Sequence, residues 1–237
     1  MAAADDLHSA EGLLALLHLD STQHIDMLNK ASTRIARWLP VRIARAIVRE
    51  ATRGGIYGLQ WGDPDVWTPL IFIRDHYVLP FVNPEHTAVD IGCGGGRWTR
   101  YLLGFKTIYG VDYYEELVAE YRRAYARYPR VRAIKNNGTD FPGIPPQSVD
   151  FVFSFGTFGH LNQTLIDSYL ANIKTIMKPG GNAMIHYSDK NKIMAQGPEF
   201  SDNTPEQMRA LLLGHGFKIV REDTGTMWNG SIVFFTI

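Results

Sequence analysis

From residue 86 onward, short apolar runs alternate with stretches whose apolar positions recur every three or four residues. Runs at 87–91, 107–111, 131–135, 149–155, 183–187, 217–221 and 231–236 predict seven strands. The run at 149–155 is almost unbroken, as expected for a strand covered on both faces. Tyr114, Leu117, Val118, Tyr121, Tyr125 and Tyr128 keep helical spacing, and so do Leu165, Ile166, Tyr169, Leu170, Ile173, Ile176 and Met177. Lys178-Pro179-Gly180-Gly181 is placed to stop that second helix. Two shorter helices are predicted at 97–103 and 204–213, the latter capped by Thr204 and ended by Gly214 and Gly216. Such alternation predicts an α/β fold: a doubly wound, mostly parallel sheet with helices on both faces.

The first third reads differently. Residues 12–29 form a weakly amphipathic helical pattern. Ser32 or Thr33 is placed to cap a second helix, broken near Pro40 and stopped by Gly54-Gly55. A loop with two large aromatics, Tyr57 and Trp61, comes next, and Asp65 is placed to cap a helix running from 66 towards 82. The expected division is an N-terminal helical extension and lid over 1–64, then the sheet domain over 65–237. Within 31–53, Arg34, Arg37, Arg42, Arg45, Arg49 and Arg53 stand against Glu50 alone and share half a helical wheel, opposite Ile43 and Ile47. A solvated helix face is the plainer expectation for Arg34 to Arg53, and peripheral contact with an anionic membrane the other.

Charge and composition remove several classes. Lys plus Arg and Asp plus Glu are both 24, so generic attraction to a polyphosphate does not organise this chain, and no nucleic-acid partner is expected. Cys93 is the only cysteine, so no internal disulfide forms; a small buried filler is expected there rather than a nucleophile. No apolar run reaches the ~18 residues of a membrane span, and a cytoplasmic protein is expected. No paired cysteines or His-Glu-x-x-His appear, and no metal site is expected.

The strongest chemical signal is Val89-Asp90-Ile91-Gly92-Cys93-Gly94-Gly95-Gly96, at the end of the first strand. Glycines there let the backbone approach a ligand. The third glycine of a dinucleotide fingerprint would fall at position 97, which is Arg97. Asp90 would repel a pyrophosphate and suits a ligand with an ammonium group. Asp112, twenty residues after Gly92, ends the second strand, where an acid accepts from both hydroxyls of an adenosine ribose. After the third strand, Thr139-Asp140-Phe141 offers an acceptor for the adenine amine and a ring to lie against the base. Plainer roles exist for each: a tight turn for the glycines, a helix cap for Asp112, a turn residue for Asp140.

An adenosine with an amine, a carboxylate and no phosphate is S-adenosylmethionine. In the glycine motif, Asp112, Asp140, Asp150-Phe151-Val152-Phe153-Ser154 and Met177-Lys178-Pro179-Gly180-Gly181, the sequence resembles the class I S-adenosylmethionine-dependent methyltransferases of small-molecule type, from about residue 87 to the end. The resemblance implies seven strands, the last antiparallel, with S-adenosyl-L-methionine as cofactor and S-adenosyl-L-homocysteine as product. It implies cofactor contacts from Asp90, Gly92, Cys93, Gly94 and Trp98; from Asp112 and Tyr113; from Thr139, Asp140 and Phe141; from Ser154 and Phe155; and from Tyr57 and Trp61 in the lid. His160 and His186, near the ends of the fourth and fifth strands, are the candidate catalytic groups, with Phe158 and Tyr187 lining the acceptor. Neither the Asn/Asp-Pro-Pro-aromatic run of base-amine methylating members nor the glutamate pair of protein-arginine enzymes stands after the fourth strand. A small-molecule acceptor methylated on oxygen or nitrogen, by a monomer or homodimer, is therefore expected. The alternatives are a nicotinamide-dependent oxidoreductase and a non-catalytic S-adenosylmethionine-binding protein.

Overall fold

Seven strands form one sheet in the computed structural model, which describes Gly58 and residues 61–237. They are β1 (Thr87–Ile91), β2 (Thr107–Asp112), β3 (Val131–Lys135), β4 (Val149–Ser154), β5 (Met177–Ser188), β6 (Lys218–Asp223) and β7 (Gly230–Thr236). Their spatial order is β3-β2-β1-β4-β5-β7-β6. Pairing is parallel from β3 through β5, while β7 runs antiparallel to both β5 and β6. The chain winds outward from β1 to β3, then returns to lay β4 on β1's other side. That reversal opens a crevice at the carboxyl ends of β1 and β4, where ligands of open α/β sheets sit.

Among the described residues, four α-helices accompany the sheet: α1 (Thr68–Ile73), α2 (Glu115–Ala124), α3 (Gln163–Ile176) and α4 (Pro205–Gly214). Asn162 starts α3 by accepting the Leu165 N–H at 3.0 Å. Thr204 and Gln207 form a reciprocal capping box on α4, as the Thr204 signal implied. One face of the sheet packs Val152, Ile185 and Tyr187 against Ile166, Leu170 and Ile173 of α3 and Met208 and Leu212 of α4. The other packs Phe151, Phe153 and Met184 against Leu70 and Ile73 of α1, Trp98 and Met227. Among the described residues, no helix is long and apolar enough to cross a membrane.

Three local expectations are corrected. The stretch 97–103 forms only a 3-10 turn, Thr99–Leu102, squeezed between the glycine loop and Gly104. The helix expected over 66–82 is α-helical only at Thr68–Ile73; it widens over Arg74–Val78 and ends in a 3-10 turn at Leu79–Phe81, which contains Pro80. Asp65 does not cap it: Trp67 holds that position, while Asp65 pairs with Arg74 at 2.6 Å. The Lys-Pro-Gly-Gly run does not lie between helix and strand but within β5, where the register with β4 shifts and Lys178 pairs with Asp150 at 2.8 Å. The helices expected before residue 57, Tyr57 and the basic Arg34–Arg53 segment lie outside the described residues. Residues 61–237 make one compact unit.

Candidate active site

The glycine loop leaves β1 folded tightly against its neighbours. Gly92 and Cys93 donate to the Val111 carbonyl at 2.7 and 3.2 Å, and Gly96 donates to Cys93 at 2.8 Å. Gly92 has φ +69°, and a Cβ there would collide with the side chain of Thr157, in the loop after β4. Gly96 has φ +92°, and a Cβ would strike the Tyr125 ring, whose hydroxyl donates to the Gly96 carbonyl at 2.7 Å. Only glycine meets both demands. Ser154 donates to the Ile91 carbonyl at 3.0 Å and stitches β4 to the loop's root. Cys93 is buried beside Tyr121 and Tyr125, and burial raises its thiol well above the usual value, which fits a filler.

Carboxylates surround this loop. Asp90 is buried on β1 and accepts from Thr99 Oγ1 at 2.6 Å. Burial, reinforced by the charge of Asp112, lifts its carboxyl to about 7. Asp112 ends β2; its Oδ2 accepts the Gly94 N–H and its Oδ1 the Tyr114 N–H, each at 3.0 Å. The Asp112 carboxylate is thus held at the loop's tip, and it also serves the start of α2. Asp140 Oδ1 accepts the Asn137 N–H at 2.8 Å, while Asn136 Nδ2 donates to the Asp140 carbonyl and to the Tyr169 hydroxyl. Phe141 packs on Tyr169 at 5.9 Å, and Asn172 donates to the Thr139 carbonyl at 3.0 Å. Tyr113 is half exposed, with its ring 3.6 Å from where a Gly138 Cβ would stand, so a ring after Asp112 faces the 138–141 loop.

This donor set fits the cofactor that the sequence implied. A pyrophosphate brought to the loop would meet Asp90 and Asp112; a molecule carrying an ammonium and a sulfonium meets attraction. The residues that would hold it are Asp90 and the loop for the amino-acid end, Asp112 for the ribose, and Asp140 with Tyr113 and Phe141 for the base.

The acceptor side is built differently. His186 lies on β5, opposite Ile232 of β7, and is 5% exposed. Phe155 stacks on its ring at 4.3 Å and 16°. Among the described residues, neither ring nitrogen has a hydrogen-bond partner. Gly230 makes room for it, since a Cβ there would strike Nε2. Burial, with Lys192 and Arg97 nearby, lowers its pKa to about 3, so the imidazole is neutral at physiological pH. Trp98 packs on Phe153 and Phe155 at 5.2 and 5.0 Å, and its buried Nε1 also lacks a partner among the described residues. Asn229 Oδ1, next to Gly230, is a fourth buried atom in the same condition.

The remaining candidates part from this group. His160 is exposed; its Nδ1 meets the Glu199 carbonyl at 2.7 Å and its ring stacks on Phe200. Phe158 and Tyr187 are fully buried in the cluster that packs α3 and α4. Strand alternation sends Tyr187 to the face opposite His186, so the structure places both rings in the core rather than along the acceptor. Trp61 is 54% exposed. Three residues that the sequence did not single out hold the site together: Thr99 through Asp90, Thr157 against Gly92, and Gly230 against His186. Only glycine content hinted at any of them. A cavity of about 350 Å³ lies at the opposite edge, by the amino ends of β1, β4 and β5, and includes none of these groups.

Comparison with known proteins agrees with this geometry. Residues 88–181 match the family described as a methyltransferase domain. An S-adenosylmethionine-dependent methyltransferase from Aquifex aeolicus is 19% identical, with 73% of this chain and 92% of that one covered and a TM-score of 0.55. One from Mesorhizobium loti is 16% identical, covering 73% and 100%, with a TM-score of 0.59. The glycopeptide N-methyltransferase MtfA, solved with S-adenosylmethionine, is 13% identical, covering 65% and 82%, with a TM-score of 0.53. These likenesses carry the fold. No curated protein matches the sequence. The family match spans the glycine loop, Asp112 and Asp140, where an acidic cradle replaces a phosphate site, and it identifies residues 88–181 as similar to a methyltransferase domain.

Proposed function

We propose that the protein methylates an oxygen or nitrogen atom of a small molecule, with a hydroxyl oxygen the favoured target. The observation that carries this reading is His186: a buried, neutral imidazole at the carboxyl end of β5 with both nitrogens unpartnered among the described residues. Leaving a buried polar atom unpaired costs about 1–3 kcal/mol. A bound hydroxyl would donate a hydrogen bond to one ring nitrogen and be oriented by it, while a free amine needs no such partner. S-adenosylmethionine, when bound, supplies an electrophilic methyl group on a positively charged sulfur. The chain's part is alignment and the exclusion of water. Phe155 fixes the plane of His186, and the Trp98 and Phe155 rings offer apolar walls that exclude water. His160, tied to the Glu199 carbonyl, orders the loop after β4.

Support for a small acceptor comes from the segment after β4, where Phe155-Gly156-Thr157-Phe158 lacks the signatures of base-amine and protein-arginine enzymes. The solved neighbour MtfA is named for a glycopeptide nitrogen, so nitrogen is the second reading. We further propose the extension over 1–64 as a lid, a cytoplasmic setting, and a monomer or homodimer. The test is a methyl-transfer screen over sugars, phenols, amines and lipid head groups, read by released S-adenosylhomocysteine. Turnover confined to hydroxyl compounds and lost in His186→Ala supports the reading. Binding of S-adenosylmethionine without turnover of any acceptor class would establish the non-catalytic alternative.

A further inference from the structure

Arg97 stands where a dinucleotide fingerprint would need glycine, and among the described residues no carboxylate forms a direct ion pair with it. The residue is 7% exposed. Its guanidinium sits 5.5 Å from the Phe155 ring centre and 5.8 Å from that of Trp98. Among the described residues its one hydrogen bond runs from Nη1 to the Gly62 carbonyl at 3.1 Å, and no carboxylate pairs with it. Asp90 and Asp63 attract its charge through space, but each hydrogen-bonds elsewhere: Asp63 with Arg100, and Asp90 with Thr99. A guanidinium has five N–H donors, and only one of them is used within the described residues. Burial lowers its pKa to about 10, which leaves it cationic at neutral pH.

Three groups with hydrogen-bonding capacity to spare converge on the single ring of Phe155. The guanidinium of Arg97 and the indole N–H of Trp98 only donate; the imidazole of His186 can accept. Two donor-only groups, one of them charged, call for an anionic oxygen. The aromatic walls of Phe155 and Trp98 suit a flat body between that anion and a hydroxyl.

We propose that the acceptor is a hydroxylated aromatic carboxylate, with its acid group held by Arg97 and Trp98 Nε1 and its hydroxyl presented to His186. This deepens the methyltransferase reading and rests on it. The Gly62 carbonyl occupies the Arg97 Nη1 until the ligand carboxylate takes its place. The cofactor's own amino-acid carboxylate offers the same chemistry, and the experiment separates the two sources.

The test uses the full chain saturated with S-adenosylhomocysteine, so that the cofactor's carboxylate is already seated. 4-Hydroxybenzoate and its neutral isostere 4-hydroxybenzamide are titrated while the melting temperature is followed. The acid is expected to raise the melting temperature and the amide to leave it unchanged. Arg97→Met is expected to lower the affinity for the acid about tenfold or more, with S-adenosylhomocysteine affinity retained. Arg97→Lys keeps the charge and is expected to keep the preference for acid over amide, which preserves the test if the methionine variant fails to fold. An equal response to acid and amide, no response to either, or loss of S-adenosylhomocysteine affinity in Arg97→Met overturns the proposal. Failure of the wild-type protein to bind S-adenosylhomocysteine overturns instead the reading beneath it.

Discussion

The two halves of the sheet's carboxyl edge treat their polar atoms in opposite ways. Around β1 to β3, each acid has a backbone or side-chain donor: Asp90 from Thr99, Asp112 from Gly94 and Tyr114, Asp140 from Asn137. Around β4, β5 and β7, His186, Trp98 and Asn229 bury polar atoms that no described residue satisfies. In one half the acids are aimed by the fold itself, although the Tyr121 hydroxyl beside Cys93 is also buried without a described partner. The other carries unspent donors and acceptors whose cost a ligand removes. The contrast matches a cofactor shared by a whole family and an acceptor particular to this chain.

The largest expected effect breaks the acceptor half. His186→Phe keeps a ring of similar size on Phe155 and removes both orphaned nitrogens. Turnover of a hydroxyl acceptor is expected to fall by about 10², while cofactor affinity holds and the melting temperature rises. A fall in melting temperature with turnover intact would make His186 a packing residue.

Next comes the hinge between the halves, where Gly92 meets Thr157. Gly92→Ala places a methyl against Thr157 at a left-handed backbone position. A loss of about 2–4 kcal/mol in urea unfolding is expected, with Thr157→Ala recovering part of it. Full stability in the single variant would show that the loop after β4 does not press on the glycine loop.

The smallest effect sharpens the cofactor half through pH. The folded-state pKa of Asp90, about 7, lies above its ordinary 3.8, so between those values the folded protein holds a proton that the unfolded chain has released. Stability therefore falls as pH rises across that window. Asp90→Asn still accepts from Thr99 without the charge, so it is expected to gain on the wild type above pH 7 and to lose that gain towards pH 4. Wild-type affinity for S-adenosylmethionine is expected to rise from pH 6 to pH 8, as Asp90 ionises, and the variant's to stay flat. Urea unfolding and calorimetry at each pH check both.

What the sequence revealed divides in the same way. Strand positions, the order-reversing crevice and the acids at 90, 112 and 140 were legible, because each lies within or just after an apolar run of fixed period. The turns were harder. Asp65 looked like a cap, yet Arg74 claims its carboxylate and Pro69 starts α1 without it. Lys178-Pro179-Gly180-Gly181 carries breaker residues, yet pairing with β4 draws it into β5. Phe158 and Tyr187 read as an acceptor wall because they adjoin His160 and His186 in sequence. In space, alternation turns Tyr187 away, and core packing against Tyr169 takes Phe158. Arg97 registered only as a missing glycine, since burial and the absence of an ion-pair partner are properties of the folded chain.

A cationic adenosyl ligand held at the tips of β1 and β2 underlies every role assigned above. Calorimetric titration of S-adenosylmethionine and of NAD into wild-type protein and Asp112→Ala tests it most directly. Saturable binding of S-adenosylmethionine, weakened about tenfold or more by the substitution, with no heat from NAD, is the expected result. Binding of NAD, or S-adenosylmethionine affinity indifferent to the loss of Asp112, would contradict it.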